Sequence, residues 1–83
     1  MILPSKHIPE SRSLAAIGGE ILAQLEEPRA VSEIWERVLA ARRAVGANAP
    51  LPYDWFILAL TFLHAILAIE LSQGLVQRIG RSA

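Results

Sequence analysis

The sequence contains no cysteine. That excludes disulfides, thiolate chemistry and any zinc site built on cysteine. Histidine is nearly as scarce, with only His7 and His64, and their spacing from the carboxylates does not suggest a metal site. No Ser-His-Asp constellation surrounds Thr61 or the serines. The stretch IGGE at 17–20 matches no phosphate-binding loop. The chain is therefore expected to be non-enzymatic, with no catalytic, cofactor-binding or metal-ligating residue. Net charge is missing too: eight Lys and Arg balance eight Asp and Glu. Domains that grip phosphate backbones usually carry a basic excess. The opening MILPSKHIPESRS lacks a basic region followed by an apolar one, so no signal peptide is expected, and a cytoplasmic location is.

Apolar side chains are abundant instead. They make up 53% of the residues, and charged ones 19%, against usual values of about 45–50% and about 25%. Eighty-three residues make one small domain, with too little interior to hide that much apolar surface. Some of it should stay outside and mark a binding surface.

Pro4 and Pro9 favour an extended arm over residues 1–12, ahead of a domain over 13–83. Ser13 is placed to cap a first helix, with Leu14, Ile17, Ile21, Leu22 and Leu25 in one stripe. Gly18 and Gly19 inside it are open to two readings: a weakened helix, or the close approach of another backbone. Pro28 ends that region, and Arg29–Val31 reads as a brief extended segment. Ser32 is placed to cap a second helix with Ile34, Trp35, Val38 and Leu39 on its apolar face and Arg42 and Arg43 in its last turn. Gly46–Pro52 makes a loop. Asp54 is placed to cap a third helix running to about Ala68, after which IEL and LVQRI read as strands around a three-residue SQG loop. The fold class is mainly α with a small β-hairpin, in the order of a winged helix-turn-helix domain: three helices plus a wing.

Trp55–Ile69, WFILALTFLHAILAI, carries no charge. It is short of the ~17-residue lower limit for a membrane span and contains His64. A recognition helix would read bases with Arg, Lys, Asn or Gln, and none lies between Asp54 and Glu70. On a helical wheel Phe56, Leu60, Leu63 and Leu67 line one face, and Leu58, Phe62, Ile66 and Ile69 another. A helix apolar all round is buried all round, so the face that a three-helix domain leaves over should meet a second copy or another protein, or else be covered by the N-terminal arm of the same chain. Trp55, Phe56, Phe62 and Leu63 are the residues expected there, together with Met1, Ile2, Leu3 and Ile8 of the arm. His64 reads as a core or interface histidine, and Glu26/Glu27 and Glu33/Glu36 as solvated helix surface. Arg42, Arg43, Arg78 and Arg81 could touch phosphate weakly if they converge. The alternative function is a winged-helix DNA-binding regulator.

The segments MILPSKHI, SRSLAAIGGEIL, VSEIWERV, DWFILALTFLHAILAIEL and GLVQRI together resemble the small middle component of the ABC-three-component systems. These bacterial operons are related to Lamassu-type antiphage defence. The resemblance spans nearly the whole chain, and Leu3–Ile8 is its most specific part, which gives Lys6, His7 and Ile8 weight as arm contacts. It implies a non-enzymatic subunit whose partners are an SMC-like or Rad50-like ABC ATPase and an effector, often a nuclease. It also implies a likeness to the winged-helix kite subunits of SMC complexes, which use that fold to bind proteins.

Overall fold

The computed structural model describes residues 10–46 and 50–79. Three helices are followed by a hairpin: α1 Glu10–Leu22, α2 Val31–Ala44, α3 Tyr53–Ala65, β1 Ile69–Ser72 and β2 Leu75–Arg78. This mainly helical arrangement with a two-stranded antiparallel wing is consistent with a winged-helix-like fold.

None of the three helix starts falls where a polar cap was expected. α1 begins at Glu10, one turn before Ser13 and inside the segment read as arm. Proline has no N–H to donate in a helix interior, so a helix starting directly behind Pro9 breaks no helical hydrogen bond. α2 enters from Ala30, an extended residue without a side-chain cap, and Ser32 lies inside its first turn. The reason is tertiary. Arg29 exchanges backbone hydrogen bonds with Val76 of the hairpin, at 3.0 and 2.7 Å. The chain is thus extended up to Ala30 and turns helical at Val31. α3 enters from Pro52, whose carbonyl accepts from the amides of Trp55 and Phe56, and Asp54 sits in the first turn instead of capping it.

Of the extended segment expected at 29–31, only an isolated antiparallel bridge, Arg29 to Val76, is found, and Val31 is already helical. It forms a third rung beside β2. The wing pairs Ile69 with Arg78, Glu70 with Gln77, Leu71 with Val76 and Ser72 with Leu75. Its loop is two residues, not three. Gln73 and Gly74 both adopt positive φ, 55° and 80°, as a type I′ turn requires to match the strand twist.

The core gathers Ile17, Ile21 and Leu25 from α1 and its exit, Ile34 and Val38 from α2, Phe56, Ala59 and Leu63 from α3, Leu51 from the loop, and Ile69 and Val76 from the wing. Tyr53 and Phe56 pack on Trp35 with ring centroids 5.0 and 4.9 Å apart, which fixes the start of α3 against α2. The two glycines of α1 separate cleanly. A Cβ on Gly18 would lie 3.0 Å from Leu63 Cδ2, whereas one on Gly19 would meet nothing within 4 Å. Gly18 lets α1 approach α3, and what approaches is a side chain rather than a backbone. Gly19 only weakens the helix.

α3 also ends early, at Ala65. The amide of Ala68 donates to Leu63 O at 2.8 Å and that of Leu67 to His64 O at 3.0 Å. These are the two bonds of a Schellman ending. Its left-handed residue is Leu67, with φ 62°.

Candidate interaction surface

The covered side of α3 is Phe56, Ala59 and Leu63. Its opposite side follows from helical spacing: Asp54, Ile57, Leu58, Thr61, His64 and Ala65 are all exposed. Ile57 is 37% and Leu58 48% exposed. Thr61 spends its hydroxyl on the Ile57 carbonyl at 3.0 Å, leaving its methyl to the surface. Alongside lies an open, mostly apolar groove between α3 and the wing, walled by Leu60, Thr61, His64, Ile69, Leu71 and Val76. Leu71 shares the sheet face of Val76, its cross-strand partner, yet is 65% exposed because it overhangs the groove. No Lys or Arg occurs from Tyr53 to Ser72; the charges are Asp54 at one end and Glu70 at the other.

The surface differs from the one expected. Phe56 and Leu63 are core residues, 0% and 3% exposed, because α3 turns that side toward α1 and α2. They are not available to a partner. Trp55 and Phe62 are half-buried against the same core. Of the second wheel face, Leu58 and Ile66 are exposed and Ile69 is buried in β1. His64 is exposed on the groove wall, not in the core. Met1, Ile2, Leu3, Lys6, His7, Ile8 and Arg81 lie outside the described residues. The exposed residues that were missed, Ile57, Leu71 and Leu75, had one usable signal on α3: Thr61 and His64, its most polar interior residues, mark the outward side.

Among the described residues, Arg78 does not converge with Arg42 and Arg43. Arg42 Nε donates to Glu20 at 3.2 Å beside the exits of α1 and α2. Arg78 lines a different groove with Glu26 and Glu27 at the foot of the wing. Arg43 is exposed in the last turn of α2. The acids there are not idle surface. Glu26 and Glu27 follow α1, and with Glu33 they close on the buried Arg29 guanidinium at 3.0, 3.3 and 2.7 Å. Its Nε donates to Gln24 O at 2.6 Å. The Glu26 hydrogen bond does most to push the guanidinium above its ordinary range, against burial, which lowers it; Glu33 and Glu27 add to the rise. With its donors so engaged, Arg29 braces the fold. Among the described residues no group of three or more His, Asp or Glu could hold a metal ion, and no helix is long and apolar enough to cross a membrane.

The sequence pattern of the ABC-three component (ABC-3C) system Middle Component 6 family matches residues 3–79. The chain belongs to this family. Membership makes it one component of a multi-component defence system and implies partnership with the other components. The Middle Component 6 match spans the three helices and the wing, and so includes the apolar face of α3. No curated protein and no solved structure matches the chain.

Proposed function

We propose that the chain is a non-catalytic protein-interaction subunit of a cytoplasmic antiphage-defence complex, and that the outward face of α3 with the adjoining wing groove is where it binds. The partners in this reading are an SMC- or Rad50-like ABC ATPase and an effector, in a system akin to Lamassu, with a role like that of the kite subunits. The observation that carries it is the chemistry of α3. In a winged-helix DNA reader the outward side of this helix carries the groups that meet bases and phosphates. Here it carries Ile57, Leu58 and Thr61, and no Lys or Arg. Covering one large apolar side chain contributes roughly 1.5–3 kcal/mol. Several such residues on one strip therefore offset a useful part of the entropy lost on association.

The test is co-purification of the tagged chain with the other components of its system, comparing wild type with Leu58→Asp. The expected result is a stable complex for wild type and a lost one for the variant, with unchanged circular dichroism for the variant. An intact complex with Leu58→Asp and Ile57→Asp combined would defeat the reading. A salt-dependent, sequence-specific shift of DNA by the isolated chain would favour the regulator instead.

A further inference from the structure

Among the described residues, one edge of the wing is unpaired. Arg29 and Val76 exchange both of their backbone hydrogen bonds, so the N–H and C=O of Val76 point away from β1. These groups alternate sides along an antiparallel strand, so Leu75 and Gln77 bond β1 and Val76 does not. By the register, Ser72 and Glu70 are their partners, and Ile79 continues the alternation by donating to Ala68 O at 2.9 Å. Ile69 and Leu71 therefore aim their N–H and C=O at the outer edge of β1. No backbone partner meets them there among the described residues. Ile69 is nearly covered, and Leu71, 65% exposed, is the accessible one. The apolar groove reaches this same edge: Glu70 borders it although its side chain lies on the opposite sheet face, bonded to Gln77. A strand laid beside β1 would find main-chain partners at Leu71 and drop alternate side chains into the groove.

We infer that the partner adds an extended segment to β1 as a new edge strand, held at Leu71, with apolar side chains toward the groove and a cation beside Glu70. This rests on the interaction reading above and gives it a mode of binding. The segment belongs to another protein, not to a second copy of this chain, and the register decides this. Two copies about a two-fold axis would pair their β1 strands antiparallel. Leu71 could then pair only with a residue whose own groups point outward, Ile69 or Leu71 of the copy. Pairing with Ile69 sets Glu70 directly opposite Glu70, and like charges so placed repel. Pairing with Leu71 sets Glu70 opposite Ser72 and ends there, because Gln73 already turns with a left-handed backbone. A segment of another protein meets neither obstacle. A Lys or Arg opposite Glu70 would compensate its carboxylate, whose hydrogen bond goes to the neutral Gln77. The same charge guards the edge against its own copies.

The experiment compares Leu71→Pro with Leu71→Ala in the full chain, with the co-expressed components of its own system as the probe. Both changes remove the leucine side chain, and only proline also removes the outward N–H. An edge strand tolerates proline there, because no rung of the wing uses that group. Both variants are expected to keep the circular dichroism of the wild type. Leu71→Pro should bind about tenfold more weakly than Leu71→Ala, and equal binding by the two overturns strand addition. Hydrogen exchange of the wild type gives a second readout that needs no variant to fold. The Leu71 amide should exchange fast in the isolated chain and slowly in the complex, and fast exchange in both overturns strand addition. Slow exchange already in the isolated chain would mean that a second copy or residues 1–9 fill the edge, and overturns the occupant. Glu70→Lys should weaken binding about threefold or more, and unchanged binding overturns the cation. If Leu58→Asp destroys the complex while Leu71→Pro binds like Leu71→Ala, only this inference falls. If neither Leu58→Asp nor Leu71→Pro disturbs the complex, the interaction reading falls with it.

Discussion

The two sides of α3 are built from the same kind of residue and meet opposite fates. Phe56 is wholly buried, and its neighbour Ile57 looks outward. Leu63 presses against Gly18, while Leu58, less than two turns earlier, lies open. Composition cannot separate these sides, because both are apolar. What separates them is which side the remaining elements cover, and a domain with two other helices and one hairpin covers only one. The side left open among the described residues is the one we propose for a partner, and the two sides should answer differently to the same substitution.

The largest difference is expected at the adjacent pair. Phe56→Ala removes a fully buried ring that also packs on Trp35 and Tyr53. It should cost about 3–5 kcal/mol, enough to unfold much of a marginal domain. Ile57→Ala, one residue on, should cost about 1 kcal/mol or less. Urea unfolding followed by circular dichroism measures both, and equal losses would erase the distinction between the faces. Next comes Gly18→Val. Its side chain must enter the space of Leu63, so a loss of about 1–3 kcal/mol is expected from overpacking, seen as a lower denaturation midpoint at unchanged slope. Smallest, and opposite in sign, is Gly19→Ala. With nothing near its Cβ, it should gain about 0.5–1 kcal/mol from helix propensity alone. A loss there would mean that something covers the outer side of α1.

The elements themselves were legible in the sequence. The stripes of α1 and α2, the Arg42 and Arg43 exit, the helical α3 and the wing all follow from spacing and turn residues, and even the extended step at Arg29 could be read. The boundaries could not, for reasons that lie outside each segment. Ser32 looks like a cap until Val76 claims Arg29 and hands the chain to the helix two residues sooner. Leu67 looks like a helix residue, since nothing in its side chain announces a left-handed backbone. The site was half legible. That α3 exceeds what the domain can bury follows from composition, but Phe56 and Leu63 were assigned to the wrong side because a helix apolar all round has no preferred wheel position. The ion cluster on Arg29 was missed because Glu26, Glu27 and Glu33 each read as solvated helix surface.

The Arg29–Val76 rung also has a consequence for the order in which the chain matures. Its two residues lie far apart in the chain, Arg29 between α1 and α2 and Val76 in the last strand, and a ribosome delivers residues one way, at about 5–20 per second. α1 and α2 can form as they emerge, but Arg29 has no sheet partner until β2 has been made. Phe56 and Leu63 of α3 meet Trp35 and Gly18, which are made earlier, so the covered side of α3 does not depend on that rung. The Arg29 rung is therefore among the last contacts of the described fold to close, and the extended entry into α2 is fixed only once the wing is complete.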